Sequence, residues 1–502
     1  MTFPLLTAVA LVPILGALLL TFIKGSSGRL LGFVVSLATL ALGIAVYVMG
    51  GTNDLAEKVS WIPSIGAWYA LSADGMARTM VLLTVILVPV VLLAEWNIGS
   101  ELEGRWSTST FFALALLLEG LALFVFLADD TLLFYLFFEA TLLPMYFLIG
   151  GWGGPKRGAA ALKFLLYSLA GGLVMLFSVI GVYVQTAATG TPSFLIADIA
   201  ALNISGDVAT WLWLGFFVAF AIKAPMVPVH TWLPDTAEQS SPGSSTLLVG
   251  ILDKIGTFGM IKFCLGMFPE VSKWAAPTVI IFALISILYG ALMAIGSKHL
   301  MRLIAFTSIS HFGFMVLGIF AFTTQSITGS IFYMINHGFS TAALFLVMGF
   351  LIKRRGSADI NAFGGAQKTV PVAAGLFLVA GLSALALPGM SSFVSEFMVM
   401  AGAWQRHPWQ TAVSTLGTVL AALYILLAYQ RTMTGPVTDQ VAEHVSVDLS
   451  TREKAVLAPL IALILFFGFF PKPMLQVIEP TSKATMSHIG MTDPAPVVKG
   501  AK

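Results

Sequence analysis

Apolar runs of about 20 residues recur along almost the whole chain, and no other feature narrows the possible folds as much. A run of that length is what an α-helix needs to cross a bilayer. Inside hydrocarbon every backbone N–H and C=O must find its partner within the protein, so the runs have to fold as helices packed on one another. Of the 502 residues, 58% are hydrophobic and only 10% are charged, and mean hydropathy is +0.93. The expectation is an all-α polytopic membrane protein.

About fourteen transmembrane spans can be read along the chain. Span seven, about 208–229, and span twelve, about 370–403, are interrupted by proline, at Pro225 and at Pro388-Gly389. Proline has no N–H to donate and clashes with the preceding turn, so both helices are expected to break inside the membrane. The breaks lie five spans apart. Spans four to eight and nine to thirteen then form two copies of a five-helix unit, and an odd number of helices per copy makes the copies inverted. The boundaries that follow are 1–107 for helices one to three with an outer loop, 108–268 for the first repeat, 275–431 for the second, and 432–502 for an inner loop, the last helix and an outer tail. The soluble segments are a polar-aromatic loop at 51–74, the acidic 432–453 loop and the tail after Pro471.

Lysine and arginine are commoner on the odd-to-even connections, from Lys24 and Arg29 through Arg105 to Lys353, Arg354 and Arg355, than on the opposite side, where Lys499 and Lys502 are counted. That bias places both termini on the outer side. The N-terminus has no basic stretch or small-residue cleavage site ahead of its apolar run, which reads as a retained first span. A net charge of +2 gives no reason to expect a nucleic-acid partner. The single cysteine, Cys264, excludes an intrachain disulfide and any four-cysteine iron–sulfur or zinc site built from this chain alone. No P-loop, HExxH or strand-borne GxGxxG occurs, so any redox cofactor is expected in other subunits.

The ionisable residues at membrane depth carry the functional reading, because a charge there costs a few kcal/mol or more. Lys223 lies two residues before Pro225 in LGFFVAFAIKAPMVPVHTWLPD, beside carbonyls that the break sets free. Glu139, near the middle of span five, is its candidate counter-charge. Desolvation disfavours the charged form of either group and a close partner restores it, so Glu139–Lys223 reads as a switchable pair. Closed, the lysine holds its proton; parted, it can release it. Lys254, mid-span in TLLVGILDKIGTFGMIKF, is too deep to reach a surface and reads as the next carrier. His311 and His337, in neighbouring spans beside Ser308, Ser310 and Asn336, read as a relay, since imidazole passes a proton from one nitrogen to the other. Glu396, eight residues after Pro388, reads as the terminal site. The competing readings are a neutral, hydrogen-bonded packing acid at Glu139, a snorkelling lysine at Lys254, hydrogen-bonded packing residues at His311 and His337, and at Glu396 a polar residue that satisfies backbone freed at Pro388. Four residues are secondary: Glu119, a candidate for sideways coupling to a neighbouring subunit; Lys163, within snorkelling reach of the inner surface; His230, suited to capping or proton uptake; and Lys262, two turns after Lys254. Asp253 projects about 100° away from Lys254 and is not expected to be its direct partner. No HxxxH or DxxE cluster lies at depth, which argues against a metal site.

The runs LLFYLFFEATLLPMYFLIGGWG, KAPMVPVHTWLPD, MRLIAFTSISHFGF, MINHGFSTAALFLVMG and LPGMSSFVSEF resemble the proton-translocating, antiporter-like subunits of respiratory NADH:quinone oxidoreductase, complex I. The resemblance covers nearly the whole chain. It implies fourteen helices with two inverted five-helix repeats and discontinuous helices seven and twelve. It puts the family's span-five glutamate on Glu139, its span-seven lysine on Lys223, its central span-eight lysine on Lys254 and its two histidines on His311 and His337. Within the family, subunit M carries glutamate in span twelve where most paralogues carry lysine. Glu396, with an end at residue 502 and no long lateral helix, is similar to that branch. Where the family often reads AHTEAP after LPD, this chain has Thr236-Ala237-Glu238-Gln239, so Glu238 is expected to stand in for an inner-side histidine. The resemblance implies a membrane-arm subunit in a bacterial plasma membrane, partnered by other membrane-arm subunits that include two antiporter-like paralogues. NADH, FMN, iron–sulfur clusters and quinone are then expected in partner subunits. The alternative left open is a subunit of a multisubunit cation/proton antiporter.

Overall fold

The computed structural model describes residues 4–50, 55–98 and 106–495; Arg105, Lys499 and Lys502, which enter the charge bias, lie outside them. Helices α1 (Leu5–Phe22) and α2 (Gly25–Met49) pack on each other and open the chain. An antiparallel hairpin follows, β1 (Leu55–Ile62) and β2 (Ala67–Ala73). It corrects the reading of this stretch as a loop, while the described residues are otherwise mostly helical. The stretch flanks a Pro63–Gly66 turn with β-branched and aromatic residues, and Gly66 takes the left-handed conformation, φ +69°, that the turn requires.

Side-chain caps mark several helix starts. Asp74 accepts from the Ala77 N–H at the head of α3 (Gly75–Ala94), and Ser107 from the Thr110 N–H at the head of α4 (Thr108–Leu127). Asp130 caps α5 (Thr131–Ala140), which resumes after Thr141 as α6 (Leu142–Gly151). The long α7 (Arg157–Ala188) and short α8 (Ile196–Ala201) lead to α9 (Gly206–Lys223) and, past a break, α10 (Trp232–Gln239). The next rod alternates α and π turns: α11 (Pro242–Leu247), a π segment at Leu248–Leu252, α12 (Lys254–Gly259) and a second π segment at Met260–Leu265. Then come α13 (Pro269–Gly296), α14 (Leu300–Phe320), α15 (Thr324–Arg355), α16 (Pro371–Ala384), α17 (Ser391–Trp404), α18 (Pro408–Met433), α19 (Asp439–His444), α20 (Thr451–Phe469) and α21 (Lys472–His488).

Among the described residues, 11 helices are long and apolar enough to cross a membrane, or up to 12 if the bent pair α20–α21 is one span. The expected spans eight and twelve are not among them: π turns divide the first, and the second is two helices of 14 residues each. α20 and α21 meet at a 71° bend, so most of the expected soluble tail is helix. Met474, Ile478, Ser482 and Met486, spaced four apart on α21, are its buried stripe, and α21 packs on α3 and α15.

α15 is the hub. It touches α3, α11, α14, α16, α17, α20 and α21, and 94% of its apolar window is buried. A Thr323–Ser326 capping box starts it, and left-handed Gly356 ends it after Lys353, Arg354 and Arg355, cations suited to the negative end of the helix dipole. Arg354 makes two bonds to Glu453, 2.9 and 2.6 Å, and Glu453 also closes the capping box of α20 with Ser450.

Neighbours satisfy backbone at both breaks, as hydrocarbon requires. Around Pro225, Trp232 Nε1 donates to the Ile222 carbonyl at 3.0 Å, and the Val227 N–H donates to Ser286 Oγ of α13 at 3.0 Å. Around Pro388, Asn336 Nδ2 donates to the Ser391 carbonyl at 3.1 Å. The hydroxyl of Ser340 on α15 lies 2.5 Å from Ser383 and 3.1 Å from Ser392, one on each half of the break.

Removing Glu453 leaves the Arg354 guanidinium at this helix junction without its anion. Glu453→Ala is expected to lower unfolding free energy by about 3 kcal/mol, seen as a reduced midpoint in thermal denaturation of the detergent-solubilised protein. An unchanged midpoint would show that the pair contributes nothing.

Candidate functional site

Lys223 is the last residue of α9, 1% exposed, and its Nζ has no hydrogen-bond partner. It lies over the rings of Phe138 on α5, at 5.1 Å, and Phe164 on α7, at 5.6 Å. A ring face attracts a cation but accepts no proton. Glu139 follows Phe138 on the half-buried flank of α5. Its carboxylate rests where a Cβ at Gly172 of α7 would overlap it, so a glycine there is what admits it. Glu139 and Lys223 act on each other electrostatically but form no ion pair. The two side chains stand apart.

Lys254 is better supplied. Its Nζ donates to the Val249 carbonyl at 2.5 Å and lies 2.7 Å from His337 Nδ1. The π turn makes this possible: the Asp253 N–H bonds to the Leu248 carbonyl, 3.1 Å away, and so leaves its ordinary acceptor, Val249, for the lysine. With a charged Lys254 donating, the His337 proton sits on Nε2. The rings of His337 and His311 are 5.2 Å apart, centre to centre. His311 Nε2 is 3.3 Å from the Tyr424 hydroxyl of α18. Tyr333 of α15, ring to ring with His311 at 5.8 Å, donates to Glu396 Oε2 at 2.6 Å, and Thr418 donates to Oε1 at 2.6 Å. A line of buried polar groups therefore runs from α12 through α15, α14 and α18 to Glu396 on α17.

The secondary candidates divide. Lys163 pairs with Asp235 of α10 at 2.5 Å instead of snorkelling alone. Asp235 also takes Arg302 at 2.6 Å, and Arg302 reaches Glu238 at 2.9 Å. These four, with Lys156 and Gln239, line an open cavity of about 350 Å³. Close by, in the connection before α14, His299 is held below the usual imidazole range, chiefly by burial. His230 is 4% exposed, packs edge-on to Tyr289 at 4.9 Å, and its Nδ1 caps nothing. Lys262 pairs with Asp129 at 3.3 Å in the wall of a separate cavity that Asp74 and His488 also line. Glu119 is 1% exposed and neither oxygen is hydrogen-bonded. It does not reach a lateral surface, because α1 packs over α4 at the adjacent Gly120. Among the described residues no three His, Cys, Asp or Glu side chains converge to hold a metal ion.

Sequence reasoning missed Tyr333, Tyr424 and Thr418, which look like ordinary packing residues in apolar helices. It named Asp253 but gave it no role. That side chain is 0% exposed, and its charge acts on both Lys254 and Lys223.

Residues 128–421 match the family model described as NADH:quinone oxidoreductase/Mrp antiporter, TM. That segment contains Glu139, Lys223, Lys254, His311, His337 and Glu396, and Tyr424 lies just beyond it. A Mycobacterium tuberculosis protein named NADH-quinone oxidoreductase subunit M is 46% identical, with 99% of this chain and 96% of that protein covered. The Rhodobacter capsulatus protein of the same name is 34% identical over 95% of each. NADH-ubiquinone oxidoreductase chain 4 of Arabidopsis thaliana is 33% identical over 96% of this chain and 97% of its own. Among solved structures, a chain of respiratory complex I from Thermus thermophilus with bound NADH superposes with a TM-score of 0.87 at 31% identity, over 97% of this chain and 100% of that one. A chain of the Mrp complex from Dietzia gives 0.84 at 21% identity over the same shares, a likeness of fold alone. The chain belongs to the NADH:quinone oxidoreductase/Mrp antiporter transmembrane family.

Proposed function

We propose that this chain is a proton-conducting subunit in the membrane arm of an NADH:quinone oxidoreductase. Glu139, Lys223, Lys254, His337, His311 and Glu396 are its stations, and the chemistry of NADH, FMN, iron–sulfur clusters and quinone belongs to partner subunits. The observation that carries this reading is the line of buried ionisable groups crossing five helices from Lys254 to Glu396. Counting the π-wound rod, α16–α17 and α20 each as one crossing gives fourteen. In each half a 32-residue helix, α7 or α15, packs on both pieces of a broken one, which supports two inverted five-helix units over 108–268 and 275–431. The positive-inside bias then puts both termini outside, and the cavity of Asp235, Glu238 and Arg302 opens to the inner side as the uptake mouth.

In this scheme a proton taken up at the mouth is held at Lys223 while Glu139 is near. When Glu139 moves off, ring faces alone cannot stabilise the buried ammonium, and it releases its proton. Lys254 passes a proton to His337 Nδ1, and the Nε2 proton goes on to His311. Their 5.2 Å ring separation exceeds one hydrogen bond, so a water or a ring rotation completes that step. The tyrosine hydroxyls hand it to Glu396. The drive arrives electrostatically from a neighbouring subunit at the half-buried flank that carries Glu139.

Glu139→Ala and Lys223→Ala are each expected to abolish proton-coupled NADH:quinone turnover while the complex still assembles, measured as pumping into inverted membrane vesicles. Full activity in an assembled variant would overturn the proposal. Tyr424→Phe, which removes the one hydroxyl bonded to His311, is expected to slow turnover about tenfold, as loss of a proton-transfer group does. If deleting the chain instead gives sodium or alkaline sensitivity with unchanged NADH oxidation, it serves a cation/proton antiporter.

A further inference from the structure

Among the described residues, Asp253 is the buried acid whose charge acts on both lysines, and nothing in the proposed relay uses it. It is 0% exposed, and neither carboxylate oxygen has a hydrogen-bond partner. Its surroundings are set by the helix that carries it. Residues three apart on a helix share a face. Gly256, three residues after Asp253, packs so closely on the end of α9 that a Cβ there would overlap the Ala224 N–H and the Phe220 carbonyl. Ala224 directly follows Lys223. Asp253, which precedes α12 with helical backbone (φ −62°, ψ −27°), therefore sits on the face of this rod turned toward the Lys223 end of α9, while its neighbour Lys254 turns to His337 on α15. The charges acting on Lys223 are those of Glu139 first and Asp253 second. Those acting on Asp253 are Lys254 first and Lys223 second. The lysine that lacks a hydrogen-bond partner thus lies between two carboxylates on different helices, one on the outer flank and one toward the second lysine.

We propose that Asp253 is a proton station linking Lys223 to Lys254. The Lys223 ammonium leaves Glu139, turns toward Asp253 and gives up one proton: an N–H bond breaks, an O–H bond forms, and a neutral amine and a carboxylic acid result. The acid then protonates the neutral Lys254 amine, restoring the carboxylate and leaving an ammonium that donates to His337. Charge and atoms balance at each transfer without any co-reactant. The gap between the two lysines is closed by this chain's own side chain. This inference rests on the reading of Lys223 and Lys254 as proton carriers.

The test uses the intact oxidoreductase in inverted membrane vesicles, comparing Asp253→Asn, Asp253→Glu and Lys223→Ala for NADH-driven proton uptake and quinone turnover. Asparagine keeps the shape and polarity but cannot titrate. Asp253→Asn is expected to assemble normally and pump about tenfold more slowly, while Asp253→Glu stays within about twofold of the native rate. A carboxylic-acid C=O band in the infrared difference spectrum of turnover should disappear in Asp253→Asn and shift in Asp253→Glu, which a purely structural role would not cause. If Asp253→Asn pumps normally while Lys223→Ala does not, the station is overturned and the relay stands. If both pump normally, the relay itself fails. If Asp253→Asn does not assemble, Asp253→Glu decides: pumping within about twofold supports a station, and a tenfold loss in the assembled complex assigns Asp253 to packing.

Discussion

The burial of two lysine side chains in an apolar bundle is the constraint on which the rest of the structure depends. Isolating an ammonium from water costs several kcal/mol unless nearby groups replace the lost hydration. The two sites meet that demand differently. Lys254 receives a backbone carbonyl and an imidazole, both within hydrogen-bond distance. Lys223 receives two ring faces and the more distant fields of Glu139 and Asp253. The same residue type is therefore anchored in one place and loosely held in the other.

Each site depends on a departure from regular helix. The π turn before Lys254 redirects one N–H and so releases the carbonyl that the lysine takes. The break after Lys223 ends α9 at the lysine, and Trp232 and Ser286 satisfy the backbone groups it would otherwise strand. At the second break, Asn336 of α15 donates to the Ser391 carbonyl, and the Ser340 hydroxyl joins those of Ser383 and Ser392 across the two halves. α15 thus carries His337 and Tyr333 of the polar line as well as the side chains that stabilise the Pro388 break. Capping at both ends and near-complete burial give such a helix little freedom, which suits a scaffold that positions proton-transfer groups.

Much of this was legible in the sequence because membrane depth is itself informative. An ionisable residue ten positions from either end of an apolar run stands out, and Glu139 and Lys254 were singled out that way, Lys223 and Glu396 by the helix breaks beside them, and His311 and His337 as titratable groups on neighbouring spans. The two prolines marked the breaks for the same reason. What stayed hidden has a common cause: its signal is tertiary. Tyr333, Tyr424 and Thr418 are unremarkable on apolar helices until Glu396 and His311 are seen against them. Lys163 is a snorkelling lysine in sequence and an ion-paired one only because α10 brings Asp235 to it. The 55–73 hairpin was read as loop because hydropathy at span length says nothing of a short strand pair. The role of Asp253 was hidden twice, by π winding that no propensity announces and by a partner on another helix.

The difference in anchoring decides where an electrostatic signal can act. Glu396 accepts two hydrogen bonds, and bonds to a charged group contribute about 1.5–3 kcal/mol each. A unit charge appearing about 8 Å away, at an effective dielectric constant of about 20, is worth about 2 kcal/mol. That is less than the two bonds holding Glu396 together, so a charge at that distance does not dislodge it. The same 2 kcal/mol shifts an unanchored equilibrium by about thirtyfold. Lys223, whose Nζ makes no hydrogen bond, and Glu139, partly accessible on the flank, are held by no such bonds. A charge arriving from a neighbouring subunit therefore moves the first half of the line before the second. In the proposed relay the run from Lys254 to Glu396, hydrogen-bonded at each end and open between His337 and His311, then conducts what the loosely held pair releases.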